Sequence, residues 1–594
     1  MRGAAILGAL ALAIAGCADI NSDEPADPFG GFFVEPTPIP FHGNVWRSSE
    51  PPPPVTGGHL AVLDDGTIAV ADPDGRTLSI VPPEATRPSL VVPLPGEPGR
   101  VAADGAGRVH VVLRDAAAIA SVDPVAGTIS TRRVCASPRG LGYDAQTGAL
   151  FVACLDGRVQ RLDPAGGGAV TLATLEEGDL RDIVPQPEGL WVTHFRSARI
   201  SLLGRDGTRE RVVTIPALES ARESRIASVA WRAVPRPGGG IVVSHQRHTN
   251  RTVSTVPPED ESFASVPVTP YGGGFNPTTG ECTPPLVTSA ITVIGPDGSV
   301  ERSSPAVGAL PVDVALQGDR AVAVSAALSN EMMSVWSEEE GAFGRLDPCA
   351  RSRDGGNFVE GQAVSIAVLP DGGVVLQARF PSMVYARGRV IPLGDGYAQD
   401  IGHALFHADT TSSLACASCH PEAGEDGVRW SFFGVGPRRT QELRGGLLAT
   451  APFHWAGDQP TLRHIMNDTF RGRMGGGEPT EVQMDAVGQW LDATPLPALE
   501  PSELATEGRG VFERAGCADC HAGAQLTNNE LADFGRGPLQ VPTLLGVSFR
   551  GPWMHDGCAR TLEGTIVASC AGEGHSVRLD ERELGALLAY LRTL

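Results

Sequence analysis

Between residues 58 and 395, apolar and polar positions alternate in short runs separated by Asp-Gly, Pro-Gly and Gly-Gly pairs. Period-two alternation bounded by such turns predicts β-strands. One pattern recurs: a strand, a turn, then a more apolar strand. It opens at Leu60 (LAVLDDGTIAVAD), Val101 (VAADGAGRVHVVL), Leu141 (LGYDAQTGALFVAC), Ile183 (IVPQPEGLWVTH) and Val229 (VAWRAVPRPGGGIVVSH). It opens again at Val314 (VALQGDRAVAVSA) and Ile366 (IAVLPDGGVVLQA). The first five openings lie about 40 to 46 residues apart, the period of a four-stranded propeller blade. The longer interval before Val314 holds a Pro/Thr/Gly-rich stretch near 254–285, then SAITVIGPDG, which reads as the second half of a blade. The expectation is an N-terminal all-β propeller of seven blades over 58–395, one with a long insertion. A two-sheet sandwich is the alternative, disfavoured by the repeat.

From about 396 the period becomes helical. Asp400 to Phe406, Pro479 to Leu491 (PTEVQMDAVGQWL), Ser502 to Arg514 (SELATEGRGVFER) and Leu579 to Leu594 (LDERELGALLAYLRTL) are the expected helices. The Pro-rich TPLPALEP divides this region near 496, giving units 396–495 and 496–594.

The 594 residues are 42% hydrophobic and 20% charged, enough to bury a core. Gly (73) and Pro (49) together make about a fifth, in keeping with many turns. The net charge of −22 lacks the positive footprint that nucleic acid requires. All 47 basic residues are Arg, which excludes Schiff-base lysine chemistry and a Walker-type phosphate loop. After residue 16 no apolar run reaches the roughly 18 residues of a membrane-spanning helix.

The N-terminus reads as an export signal. Arg2 supplies the charge, Ala4 to Ala15 the apolar core, and Ile14-Ala15-Gly16-Cys17 the cleavage region. Cys directly after Ile-Ala-Gly resembles the bacterial lipobox, which implies lipidation of Cys17 and a membrane anchor on the outer membrane, facing the periplasm or the cell surface. An ordinary signal peptide is the alternative. Residues 18–57 then form a Pro-rich spacer ending in Pro51 to Pro54.

Eleven Cys are present. Setting aside Cys17 and the four in the motifs below leaves Cys135, Cys154, Cys282, Cys349, Cys558 and Cys570. In an oxidising compartment an even remainder suggests disulfides. Order along the chain suggests 135–154, 282–349 and 558–570, among 15 possible pairings.

The chemistry-bearing signal is Cys416-Ala417-Ser418-Cys419-His420, repeated as Cys517-Ala518-Asp519-Cys520-His521. CxxCH is the c-type haem attachment pattern. Two thiols one turn apart form thioethers to the haem vinyl groups, and the adjacent His420 or His521 lies under the iron. A thioredoxin-like pair would need a βαβ context, and a zinc site would need the four Cys to converge. The expected cofactors are therefore two covalently bound haems.

Around these motifs stand Trp430, Thr450-Ala451-Pro452-Phe453-His454-Trp455-Ala456-Gly457-Asp458 and Arg473-Met474-Gly475-Gly476. The second half has Val541-Pro542-Thr543-Leu544, Gly551-Pro552-Trp553-Met554-His555-Asp556-Gly557 and Thr561-Leu562-Glu563. This last third resembles the bacterial di-haem cytochrome c peroxidases and their relative that matures tryptophan-derived quinones. The propeller repeats loosely resemble bacterial YVTN-type propellers. The peroxidase resemblance implies two all-α cytochrome c domains packed together, one haem accepting electrons and the other meeting peroxide. It implies a Trp between the haems, best matched by Trp455, and a calcium ion between the domains.

The departures from that family bear on mechanism. The Met ligand expected after Thr561-Leu562-Glu563 is missing from Ile566-Val567-Ala568-Ser569-Cys570, as is the relative's Tyr. Met554, His555 and His575 are candidate sixth ligands of the second haem, or that site is open. For the first haem the candidates are Met474, His454 and His464, with Met474 first. Arg473 stands where the peroxidases carry an acid. A guanidinium can polarise an oxygen but cannot take a proton at neutral pH.

The expected function is a membrane-anchored di-haem oxidoreductase of the peroxidase-like class. Its electrons would come from a small cytochrome or copper protein, met through the acidic surface. The alternative is a non-enzymatic electron relay with two six-coordinate haems and a partner-binding propeller. A third reading, with the propeller catalytic, lacks a convergent acid–base or metal set. His245 and His248 are expected in a surface loop, and His403 and His407 on a helix surface.

Overall fold

A computed structural model describes residues 45–594, apart from 221–222, 256–268, 273–274, 277–280, 307, 329–332, 338–356, 360, 395–398, 534–536, 568–569 and 571–576. Cys17, Cys349 and His575 lie outside the described residues, as do the lipid anchor and the 282–349 pairing.

The strands form a propeller. Asp-Gly turns end its hairpins for a local reason. At the first, the Asp65 side chain accepts the Thr67 N–H at 2.8 Å, and Gly66 adopts φ 81°, open to glycine without strain. The strand that follows, Ile68–Asp72, is buried along its whole length because sheets cover both its faces. The innermost strands Leu60–Val62, Pro98–Ala103, Pro138–Asp144, Leu180–Gln186, Ser224–Pro235, Asp313–Gln317 and Gln362–Val368 follow one another around the axis. The last lies beside the first.

The blade count differs from the seven expected. Six sheets are regular four-stranded blades: 60–93, 98–133, 138–174, 180–214, 313–359 and 362–392. The ring position at 218–306 holds a five-stranded sheet. There Ser224–Pro235 and Ile241–Thr249 are lengthened, and the next strand of the sheet is Val287–Ile294; the described residues between them, among them 269–272, lie outside the sheet. The fifth strand is the short Leu218–Glu219, paired with the start of Ser224–Pro235; a repeat period shows where the ring positions lie and cannot show so short an added edge.

The C-terminal region is only partly helical, which corrects the expectation of two all-α domains. It contains α1 (Ile401–Phe406), α2 (Cys416–Cys419), α3 (Leu462–Ile465), α4 (Glu481–Ala493), α5 (Ala505–Arg514) and α6 (Glu581–Leu591). Two short hairpins, Arg429–Phe432 with Gly436–Arg439 and Leu531–Asp533 with Pro538–Gln540, join them. Gly- and Pro-rich segments between the helices run as turns, because their residues cannot sustain a helical hydrogen-bond ladder. Helix α4 starts where Thr480 accepts the Gln483 N–H, and α6 where Asp580 accepts the Glu583 N–H at 2.8 Å.

Candidate functional site

Each CxxCH segment is one tight turn. Helix α2 closes with the His420 N–H on the Cys416 carbonyl at 2.9 Å, and the Cys517–Asp519 turn closes with His521 on Cys517 at 2.9 Å. One turn thus carries two thiols and an imidazole on neighbouring positions. The His420 Nδ1 lies 3.0 Å from the Gly424 carbonyl and the His521 Nδ1 lies 3.1 Å from the Leu526 carbonyl. A carbonyl accepts only, so Nδ1 carries the hydrogen and Nε2 keeps the lone pair a metal needs. Cys416, Cys419, Cys517 and Cys520 are free thiols, whereas Cys135–Cys154 and Cys558–Cys570 are disulfides.

The alternatives fit less well. Among the described residues no group of three or more His, Cys, Asp or Glu side chains is gathered to hold a metal ion, whether zinc or calcium. Burial pushes the Cys416 thiol up to about 12, the opposite of a thioredoxin-like nucleophile. Unpaired thiols beside a lone-pair-bearing imidazole fit covalent haem at both turns.

The two halves repeat one design around a two-fold relation. Helix α1 crosses α4 at Gly402, where an added Cβ would meet the Ala486 carbonyl at 2.2 Å. Helix α5 crosses α6 at Gly508, where it would meet the Ala586 carbonyl at 1.9 Å. His454 (φ 65°) and Met554 (φ 68°) occupy matching turns. Between the halves the hydrogen bonds are reciprocal. The Arg439 N–H donates to the His555 carbonyl at 2.7 Å, and the Gln540 N–H to the Trp455 carbonyl at 2.8 Å. Their side chains repeat the exchange, Arg439 to the Arg550 carbonyl at 2.9 Å and Gln540 to the Thr450 carbonyl at 2.7 Å. The rings of Trp455 and His555 meet edge-to-face at 6.2 Å, where the halves join.

Trp455 is buried there, its indole N–H on the Arg439 carbonyl at 2.8 Å and the Arg439 guanidinium 5.7 Å from its ring. Arg439 pairs with Glu425, which also lies 3.5 Å from Arg550 and 3.7 Å from Arg196 of the propeller. Glu425, absent from the sequence reading, is therefore the ionic junction of all three parts.

Met474 is buried at the end of a π-helical turn, Met466–Arg473. It packs with Leu414, Val428 and Trp430 in a cluster that also touches Cys419 and Tyr271. Met474 thus belongs to the apolar cluster against which the Cys419 thiol of the first CxxCH turn packs. Arg473 pairs with Asp468, and its guanidinium lies 3.4 Å from the Tyr271 hydroxyl. Tyr271 comes from the 250–286 insertion of the propeller. Burial pushes the Asp426 carboxyl in this half up to about 7.

The other candidates are placed as follows. Met554 is half-buried, and its carbonyl accepts from the Arg439 guanidinium at 2.8 Å. His454 lies 3.2 Å from Asp458; His464 is exposed and bonded to Thr461. His403 and His407 are not on a surface. They are fully buried, rings 4.2 Å apart, against Trp490 and Phe380. His245 and His248 lie on strand Ile241–Thr249 rather than in a loop. His245 is bonded to Thr292 at 2.7 Å, and His248 meets Trp430 edge-on at 5.8 Å. Both misplacements have one cause: the covering surface comes from distant chain.

The propeller axis is filled. Asp182 accepts from Arg100 at 2.6 Å and from Arg232 at 3.1 Å, and Arg232 reaches Asp313 at 3.1 Å. A cavity of about 1020 Å³ lies off the axis, between the 48–54 strap, the propeller and 493–498, with Arg139, Glu422 and Arg444 on its wall.

No protein-family model matches the chain. The methylamine utilization protein MauG of Methylorubrum extorquens is 27% identical over 278 residues, spanning 33% of this chain and 77% of that protein. With the two CxxCH turns, this similarity supports a c-type haem oxidoreductase. Among solved structures, Kuenenia stuttgartiensis hydrazine synthase has a TM-score of 0.44 and 16% identity, covering 58% of this chain and 98% of that one. Catalytically inactive virginiamycin B lyase from Staphylococcus aureus has a TM-score of 0.36 and 11% identity, over 58% and 96%.

Proposed function

We propose that this protein is a di-haem c-type cytochrome that passes electrons to peroxide or a similar oxidant, anchored to a membrane through Cys17. The observation that carries the reading is the paired CxxCH turn, one in each half, each with its His fixed through Nδ1. Bound haem supplies the one-electron steps and an iron able to activate an oxidant. The chain's own residues do the rest. His420 and His521 present Nε2, held in tautomer by Gly424 and Leu526. Trp455 fills the space between the halves with an aromatic path, oriented by its bond to Arg439. Arg473, held by Asp468, offers a fixed positive charge and N–H donors that can polarise an oxygen, but it does not give up or take a proton at neutral pH. The net charge of −22 suits a basic donor such as a small cytochrome or copper protein.

One observation favours the second reading, an electron relay. Met474 lies buried beside Cys419, where its sulfur is available to saturate the first haem. Optical and EPR spectra of the oxidised, half-reduced and reduced protein, each with peroxide added, decide between the two. A high-spin signal with rapid reoxidation by peroxide is the expected result. Two low-spin haems inert to peroxide in every state would make the protein a relay. In either case Trp455→Phe should slow electron equilibration between the haems at least tenfold, read by flash reduction. An unchanged rate would remove Trp455 from the path.

A further inference from the structure

We propose that the propeller sets the axial histidine of the first haem by holding Glu422, which makes Glu422 a positioning residue for His420. The inference rests on the reading of Cys416-Ala417-Ser418-Cys419-His420 as a haem site.

The His420 imidazole is oriented by the Gly424 carbonyl at 3.0 Å. That carbonyl is delivered by the turn Pro421–Ala423, in which Glu422 (φ 54°) and Ala423 (φ 61°) both lie in the left-handed region. L side chains rarely adopt that conformation, and two in succession need an outside constraint. The turn's own bonds are the Ala423 N–H to His420 and the Gly424 N–H to Pro421, both 3.0 Å. The outside constraint is ionic. The Glu422 carboxylate leaves its own half, enters the propeller, and is nearly wholly buried there between Arg181 and Arg114, the latter at 2.6 Å.

This receptor is built in advance. Arg181 donates to the Trp231 carbonyl at 3.1 Å and lies 4.4 Å over the Phe195 ring. Arg114 is also 3.7 Å from Glu97, and neighbouring Arg139 is fixed on Asp179 at 2.7 Å. A second tether reaches the motif itself: the Gln246 amide donates to the Ser418 carbonyl at 3.1 Å. Ring orientation and the hydrogen bond at Nδ1 set the basicity of a metal-bound imidazole. The propeller therefore acts on the first haem through the ligand.

The second haem is an internal control. His521 has the same kind of bond, to Leu526 at 3.1 Å. Its loop, however, leans on the first half rather than on the propeller. An added Cβ at Gly446 would meet Gln525 at 2.5 Å, and Asn529 donates to the Ala449 carbonyl at 2.8 Å.

The test uses the full mature chain matured with haem, first confirmed by pyridine haemochrome to hold two. Fewer than two in the wild type would overturn the haem reading and this inference with it. Midpoint potentials and EPR g-values are then read for each haem in Glu422→Gln. The first haem should shift in both, and the second should keep its wild-type values. Adding Ala423→Gly, which lets one residue of the turn adopt its conformation without strain, should return the first haem toward wild type. Arg158→Gln breaks a different propeller contact, the 2.6 Å pair with Glu500, and should move neither haem. The inference fails if Glu422→Gln leaves the first haem unchanged, or if Arg158→Gln shifts it as far. If Glu422→Gln does not fold, Gln246→Ala, which removes the Ser418 tether together with the 3.2 Å bond that Gln246 accepts from the Trp231 indole, is read in the same way: a shift at the first haem supports the inference and none refutes it.

Discussion

Asp182 shows how a buried charge is tolerated at the propeller axis. Four hydrogen bonds hold its carboxylate: two from Arg100, one from Arg232 and one from the Ala233 N–H at 2.8 Å. Burial would raise its pKa, but the two guanidinium groups outweigh it and hold the carboxyl down to about 2, against an ordinary 3.8. The folded pKa is below the unfolded one, so the stabilisation is present in full above about pH 4 and is lost as the pH falls toward 2. A shift of this size is worth on the order of 2 kcal/mol. Asp182→Asn should therefore remove most of this acid sensitivity between pH 4 and 2, measured as unfolding free energy against pH. A variant with the wild-type slope would refute the argument. At this scale the two CxxCH turns stood out in the sequence, because their residues are adjacent in the chain and need no long-range packing to be recognised. The burial of His403, His407 and His245 did not, since long-range packing decides it.

The elements were legible where a periodic face and a cap coincide. Helix α4 was expected over Pro479 to Leu491 and runs Glu481–Ala493; α6 was expected over Leu579 to Leu594 and runs Glu581–Leu591. The two hairpins escaped because Arg429–Phe432 alternates over only four residues and its partner Gly436–Arg439 has no apolar face at all. Their pairing matters, since Arg439 and Gln540 make the reciprocal bonds that join the halves. The crossings at Gly402 and Gly508 were also hidden: a glycine inside a helix reads as a weakness until its partner is seen. At Gly508 backbone meets backbone, so no side chain can give way. Gly508→Ala should destabilise the second half by roughly 2 kcal/mol through overpacking. Denaturant unfolding followed at the Soret band measures this, and a neutral result would show that α5 and α6 can move apart freely.

At the scale of the whole molecule, the boundary in sequence is not a boundary in packing. One apolar core runs from the propeller (Val55, Phe195, Trp231, Leu310, Tyr385) into the first CxxCH half (Ile401, Phe406, Trp490). The strap before the first blade seals it. The Trp490 indole donates to the Pro52 carbonyl at 2.9 Å, the Ile401 N–H to the Trp46 carbonyl at 3.0 Å, and Arg47 pairs with Asp400 at 3.2 Å. The second half has a core of its own, with Phe512, Val547, Leu587 and Leu591, and its loop is closed by Cys558–Cys570. Its ties to the rest are mainly polar, through Glu425, Arg439 and Gln540, and polar contacts to distant chain contribute less cooperative stability than a shared core. With haem at both CxxCH turns, as proposed, the β-sheet signal in the far ultraviolet and the Soret change of the first haem should therefore follow one curve on heating, with the second haem on another. Half-reduced protein allows the two haems to be read separately when their potentials differ. If the first haem melted apart from the sheet signal, the shared core would not be a cooperative unit, and the coupling drawn through Glu422 would have no rigid body behind it.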